Sequence, residues 1–185
     1  MCIRDSSKVD EGTVLDNFMD YPLTDIGSSK LYADMYKNEL KFVREMGVYY
    51  YYNGKVWIKD VGSIFAKRLA KKFAISTIQK SSEIPDDETR KAYVKYYNRF
   101  NSFNVREKLV KDAQSVYLIE YSEFDNRPEL YNCQNGTFNL RTGQLQEHRP
   151  GDLLTQISKV VYKESARCKR WEQYVDCLLY TSRCV

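Results

Sequence analysis

YNCQNGTFNLRTGQLQEH, residues Tyr131 to His148, is the stretch from which the rest of the chain is read. It holds two turn signals, Asn135-Gly136 and Arg141-Thr142-Gly143. Glycine tolerates the positive φ of a tight reversal, and asparagine tolerates it better than most residues. Between the signals Phe138 and Leu140 alternate with the polar Thr137 and Asn139, and Leu145 continues the alternation. That period of two predicts a half-buried strand and a partner. A three-residue loop ending in glycine suits a type I turn followed by a bulge. The expected element is a small antiparallel meander with one face packed and one face wet.

The composition sets the frame. The chain has 185 residues, 43% hydrophobic and 29% charged, the balance of a soluble globular domain. No apolar run approaches the roughly 20 residues of a membrane span. Met1 to Ser7 has no apolar core of the kind a signal peptide needs. A cytoplasmic protein is the expectation.

Both ends carry a nucleotide signature. MCIRDS (1–6) is what ATG TGT ATA AGA GAC AG plus one base encodes, and CLLYTS (177–182) is encoded by TGT CTC TTA TAC ACA TCT. Apart from one flanking base the second DNA is the reverse complement of the first. Arg183-Cys184-Val185 fits the start of the same element read forward. This resembles a transposon end used in preparing sequencing libraries, so 1–6 and 177–185 are read as adapter-encoded. Without Arg4, Asp5 and Arg183 the net charge falls from +4 to +3, and of 5 cysteines Cys133 and Cys168 remain. Two isolated cysteines make neither a disulfide framework nor a zinc site. This charge alone is weak support for a nucleic-acid partner.

Residues 7–22 are polar and poorly patterned and read as a linker. A helix with Leu31 and Met35 follows, with Thr24, Asp25 and Ser28 offering capping oxygens. Asp25 is read as a cap before it is read as catalytic. Lys41 to Asp60 changes to strand character, with Phe42-Val43, then Val48 to Tyr52, the turn Asn53-Gly54 and Lys55 to Lys59. Tyr49 to Tyr52 admit two readings, stacking on single-stranded bases or filling a core and covering a sheet edge. Asp60 to Ser81 is the best helix, with Ile64, Phe65, Leu69 and Phe73 as a core stripe. Lys67, Arg68, Lys71 and Lys72 lie mostly on its remaining surface. They are a solvated face or a surface that neutralises phosphates. Ile84-Pro85-Asp86-Asp87 breaks the chain and caps the next helix, to Phe100, and capping is favoured over a metal at Asp86-Asp87. Another helix starts at Asn101-Ser102 and carries Val105, Leu109, Ala113 and Val116. Tyr117 to Leu130 reads as a connection, and Leu153 to Ile157 and Val160 to Tyr162 as short extended segments.

The chemistry-bearing motifs are few. His148 is the single histidine and has no sequence partners for a triad or a zinc site. No G-x-x-x-x-G-K-[ST] phosphate loop occurs, and Asn53-Gly54-Lys55-Val56 resembles only its tail. The reading is an α+β module of several helices with small antiparallel hairpins and a meander, with no catalytic residue, metal or cofactor of its own.

The order of four segments resembles one family, the region before the ATPase in phage, plasmid and poxvirus-type primase–helicases, whose motors are superfamily 3 helicases. Thr24-Asp25-Ile26-Gly27 is similar to its T-D-x-G opening. Tyr51-Tyr52-Asn53-Gly54-Lys55-Val56-Trp57 is similar to the end of its W-x-W-D-G-x-x-W hairpin, with Tyr for Trp and Asn for Asp. Leu130 to Gly143 is similar to its L-L-N-x-x-N-G-x-x-D-L-R-T-G segment. Ala166-Arg167-Cys168-Lys169-Arg170-Trp171 is similar to its A-x-C-P-x-W lead-in to the helicase, with Lys for Pro. The resemblance covers about Leu23 to Asp176. It implies a module at 23–162 between a primase part and a helicase ring, and the start of a helical collar at 163–176. For the parent it implies DNA as partner, a homo-oligomeric ring, ATP and magnesium in a motor beyond Asp176, and the cytoplasm of a bacterial host. It assigns no catalytic residue here. The alternatives are a standalone DNA-binding module using the Lys67 to Lys72 face, or an oligomerisation module.

Overall fold

The computed structural model describes residues 12–116 and 118–182. The adapter-like segment 1–6 lies outside them. Runs of strands and runs of helices follow one another in an α+β arrangement. A short helix α1 (12–16) is followed by α2 (Asp25–Met35), β1 (Leu40–Val43), β2 (Val48–Tyr52) and β3 (Trp57–Lys59). Then come α3 (Ile64–Ser82), α4 (Asp87–Tyr97), α5 (Phe103–Ala113) and β4 (Leu118–Ile119). The chain ends in β5 (Leu130–Cys133), β6 (Gly136–Asn139), β7 (Gln144–Gln146) and α6 (Lys169–Ser182). No helix of the described residues is long and apolar enough to cross a membrane.

The first sheet has the order β3-β2-β1-β4. β4, expected to be mere connection, pairs parallel to β1 through Phe42–Leu118 and Val43–Ile119. Because side chains alternate across a strand, the four tyrosines of β2 divide between two cores. Tyr49 and Tyr51 face the helices with Leu31, Phe73, Phe100 and Leu109. Tyr50 and Tyr52 face a smaller cluster with Val43, Trp57, Ile119 and Phe124. The base-stacking reading therefore fails. The Tyr49 hydroxyl is buried on the Val110 carbonyl at 2.6 Å, and Tyr51 stacks on Phe65 with ring centroids 4.4 Å apart. Tyr50 packs on Phe124, and Tyr52 on Trp57. Core packing consumed the aromatic faces.

Residues 12–22 are not a free linker. Phe18 is 2% exposed and its ring meets Tyr93 edge-on at 5.4 Å. Val14, Leu15 and Tyr21 pack beside it on the helical core, and Asp16 pairs with Lys80 at 2.9 Å.

The second sheet is β5-β6-β7, antiparallel throughout. Its packed face is the polar one. The register sets Asn132 opposite Thr137 and Thr137 opposite Gln146, and Thr137 is 1% exposed. Tyr131, Phe138 and Leu145 form the outer row, and Leu140 just beyond is 60% exposed. The reason is hydrogen bonding to crossing backbone. Asn132 Nδ2 donates to the carbonyls of Lys55 at 3.3 Å and Gln156 at 3.0 Å, and Gln146 Nε2 donates to Asp152 at 3.1 Å. Thr137 Oγ1 donates to Asn132 Oδ1 at 3.3 Å. On the outside the Tyr162 ring covers Phe138, stacked at 4.6 Å.

The turns also differ in detail. Cys133 pairs with Gly136, so the first turn is Gln134-Asn135 and Gly136 opens β6. Asn135 instead clamps a later segment, with Nδ2 on the Tyr162 carbonyl at 3.0 Å and Oδ1 on its N–H at 2.9 Å. The second loop has four residues, 140–143, since Asn139 pairs with Gln144. Asn139 Oδ1 caps it by accepting from the N–H of Arg141 and Thr142. These asparagines are structural hydrogen-bonding residues.

Candidate nucleic-acid interface

α3 is the element on which the basic residues ride, and its start is set by Asp60. Gly62 and Ser63 take positive φ, 73° and 56°, and turn the chain after β3. The buried Asp60 carboxylate then accepts from the N–H of Phe65 at 3.0 Å and Ala66 at 2.9 Å. Two of the unpaired donors at the helix start are thereby satisfied. Ala66, Leu69, Ala70, Phe73, Ala74, Thr77 and Ser81 turn inward. The Tyr32 hydroxyl donates to the Ala66 carbonyl at 2.8 Å and ties the helix to α2.

Ile64, expected in the core stripe, is instead 72% exposed, because the inward face of the helix begins at Ala66; Arg68, Lys71, Lys72 and Ile75 share the exposed surface with it. The four basic residues predicted from the sequence are not equivalent there. Lys67 leans to the flank and pairs with Glu107 of α5 at 2.9 Å. The Arg68 guanidinium lies 4.5 Å over the Phe65 ring, which is itself stacked on Tyr51. Such stacking leaves the planar edge of Arg68 free to bind an anion. The Lys72 ammonium lies 5.8 Å from the Tyr36 ring centroid. Lys71 is exposed, and no carboxylate or ring of the described residues engages it.

Sequence reasoning undercounted the charge by treating the chain as a whole. Residues 64–113 carry twelve Lys and Arg against six Asp and Glu, a net +6, so the remainder of the chain is −2. The signal was present in the sequence as a local charge balance. Part of this charge is spent internally. Arg90 and Lys91 both reach Asp87, Arg99 pairs with Asp25, and Arg106 donates to the carbonyls of Phe100 and Asn101 at 2.7 Å. Lys108 and Lys111 line a cleft of about 480 Å³ between the start of α2 and α5, together with Ile26, Phe100 and Asp112.

The acidic candidates resolve into structural roles. Thr24, rather than Asp25, caps α2, its Oγ1 accepting from the Gly27 N–H at 3.1 Å. Asp25 sits in the first turn and pairs with Arg99. Asp86 caps α4 by accepting from the Thr89 N–H at 2.8 Å, and hydrogen bonding from the Thr89 side chain and then its N–H holds the carboxyl below the usual range. Among the described residues no three His, Cys, Asp or Glu side chains converge on a possible metal position. What the arrangement can do chemically is bind polyanions by charge.

The chain matches the family described as D5 N terminal like over residues 29–179 and belongs to that family, which places it among phage and plasmid primase–helicase-type proteins. The match takes in the second hairpin, the meander and the start of α6, while Thr24 to Gly27 lies just before it. No curated protein was found to match the chain.

Proposed function

We propose that this chain is a non-catalytic coupling module in DNA replication, standing between a primase part and an ATP-driven ring helicase of superfamily 3. The observation that carries the reading is the family match over most of the chain. The net +6 of residues 64–113 supports a DNA-facing role for the helical half. Arg68, Lys71 and Lys72 are the phosphate contacts, with Lys67 beside them. ATP and magnesium serve the motor of the parent protein, whose subunits form a homo-oligomeric ring in the cytoplasm of the bacterial host. The test is fluorescence anisotropy of labelled single-stranded and duplex DNA, with ATP turnover followed in parallel. Binding should weaken as salt rises and be lost in K71E/K72E, with no ATP hydrolysed. DNA binding that ignores salt and survives K71E/K72E would overturn the contact assignment. ATP turnover by the chain alone would overturn the coupling role.

One observation favours assembly as a second role. Trp171 and Tyr174 of α6 lie against each other with tilted rings, centroids 5.7 Å apart, yet remain mostly exposed. Sedimentation over a concentration series, with Trp171→Ser as control, tests whether this stripe joins subunits.

A further inference from the structure

The first sheet and the meander meet along a seam around Trp57. Its N–H donates to the Leu154 carbonyl at 2.8 Å, and its indole Nε1 donates to the Pro150 carbonyl at 2.9 Å. Lys55 Nζ crosses the same seam to the Gln134 carbonyl at 2.8 Å. Three polar atoms in this region are buried and have no hydrogen-bond partner among the described residues. They are the Tyr52 hydroxyl and both ring nitrogens of His148. A neutral imidazole carries one donor and one acceptor, so both are unmet. Its ring lies toward the Gln134 carbonyl, an oxygen that also accepts from Lys55, without reaching hydrogen-bond geometry.

The charges that act on the ring come from two elements. Lys55 approaches from the β2–β3 turn and Asp152 from the turn after β7. Asp152 also acts on Tyr52, but its oxygens are taken by Arg127 at 3.3 Å and Gln146 at 3.1 Å. The sequence neighbours Glu147 and Arg149 are exposed. A proton added to His148 would place a positive charge beside a lysine, on a half-buried ring whose two nitrogens are shut off from solvent and unpaired in the closed form. Buried charge without a partner is costly.

We propose that His148 is an acid-sensitive latch on this seam: the neutral ring keeps the two sheets closed on each other, and its protonation opens the seam to water. Burial, and then Lys55, hold the imidazole below its usual 6.5, against the opposing pull of Gln134 and Asp152. The sign follows from linkage. The open form binds the proton more tightly, so closure is complete above pH 6.5 and is lost as pH falls through the depressed value.

The chain has one histidine and two tryptophans, which makes the test direct. Trp171→Phe leaves Trp57 as the sole reporter of the seam. Its emission and the histidine proton resonances are followed from pH 8 to 4.5 in the full chain. The expected result is one transition with a midpoint below 6.5, seen by both probes, with Trp57 shifting to the red while the far-ultraviolet helix signal holds. His148→Gln should abolish the Trp57 transition, and Lys55→Met should raise its midpoint. An imidazole that titrates at 6.5 without moving Trp57 would overturn the proposal. So would a Trp57 transition unchanged in His148→Gln. If His148→Gln does not fold, the midpoint shift in Lys55→Met decides, and no shift there overturns the latch.

Discussion

Lys67 Nζ sits 2.9 Å from Glu107 Oε1, so the first cation of the α3 surface is spent on holding α5. Both side chains are partly exposed, and pairs of this kind contribute about 0.2–1 kcal/mol. Lys67→Ala should therefore cost little stability and little DNA affinity. Arg68→Ala or Lys71→Ala should each weaken binding and make the salt dependence shallower by roughly one phosphate contact. Anisotropy titrations at several salt concentrations separate these outcomes. Equal losses for Lys67, Arg68 and Lys71 would show that the Glu107 pair does not withdraw Lys67 from the surface.

Asp60→Ala should destabilise the fold by about 2 kcal/mol, at the upper end for loss of a helix cap. The carboxylate serves two backbone donors, at 3.0 and 2.9 Å, and is buried. Asp60→Asn should recover part of the loss, since one amide oxygen can still accept. Urea unfolding followed by circular dichroism measures both. An alanine variant as stable as the parent would mean that the Gly62-Ser63 turn alone sets the start of α3.

Gly27 and Gly136 should resist substitution for steric reasons. A Cβ on Gly27 would lie 2.1 Å from the Pro22 carbonyl oxygen, and one on Gly136 would lie 2.5 Å from that of Gln146. Both obstacles are backbone, which yields less than a side-chain tip. Gly27→Ala and Gly136→Ala should each cost roughly 1–3 kcal/mol, the usual range for overpacking. Gly151→Ala is the control, because nothing lies within 4 Å of its Cβ position. Thermal unfolding of the three variants tests the ranking.

Tyr52 should make the fold sensitive to alkali. Burial, and then the charge of Asp152, raise its hydroxyl from 10.0 to about 12. A raised folded value means that the unfolded chain releases the proton first. Stability from this group is intact below pH 10 and falls as pH rises from 10 toward 12. Tyr52→Phe should flatten that part of the stability profile. At neutral pH it should be close to neutral, because the hydroxyl is buried without a partner. Urea midpoints from pH 7 to 11.5 check both statements.

Much of the fold was legible in local patterns because local physics dictates it. The apolar stripe of α3 through Leu69 and Phe73, though not Ile64, the caps of α2 and α4, and the hairpin turn at Asn53-Gly54 each depend on residues a few positions apart. The four-part motif order around Leu130 to Gly143 was likewise enough to point to the family that the chain matches. The identity of the basic residues was also on the surface of the sequence, as was the charge concentrated in 64–113.

The remainder needed contacts between distant residues. Periodicity reported that the meander had two faces, but only the carbonyls of Lys55 and Gln156 made the Asn132–Thr137 face the buried one. The composition of Tyr49 to Tyr52 was compatible with base stacking until Phe65, Val110 and Phe124 took up those side chains. Lys67 and Arg68 are adjacent in sequence, yet Glu107 neutralises one and Phe65 presents the other. The sequence by itself determined most of the elements, the caps of α2 and α4, and the family, but not β4 or the helix at 12–16. The tertiary structure alone decided which polar groups lost their water, and burial without or with a partner is what separates a structural residue from an available one.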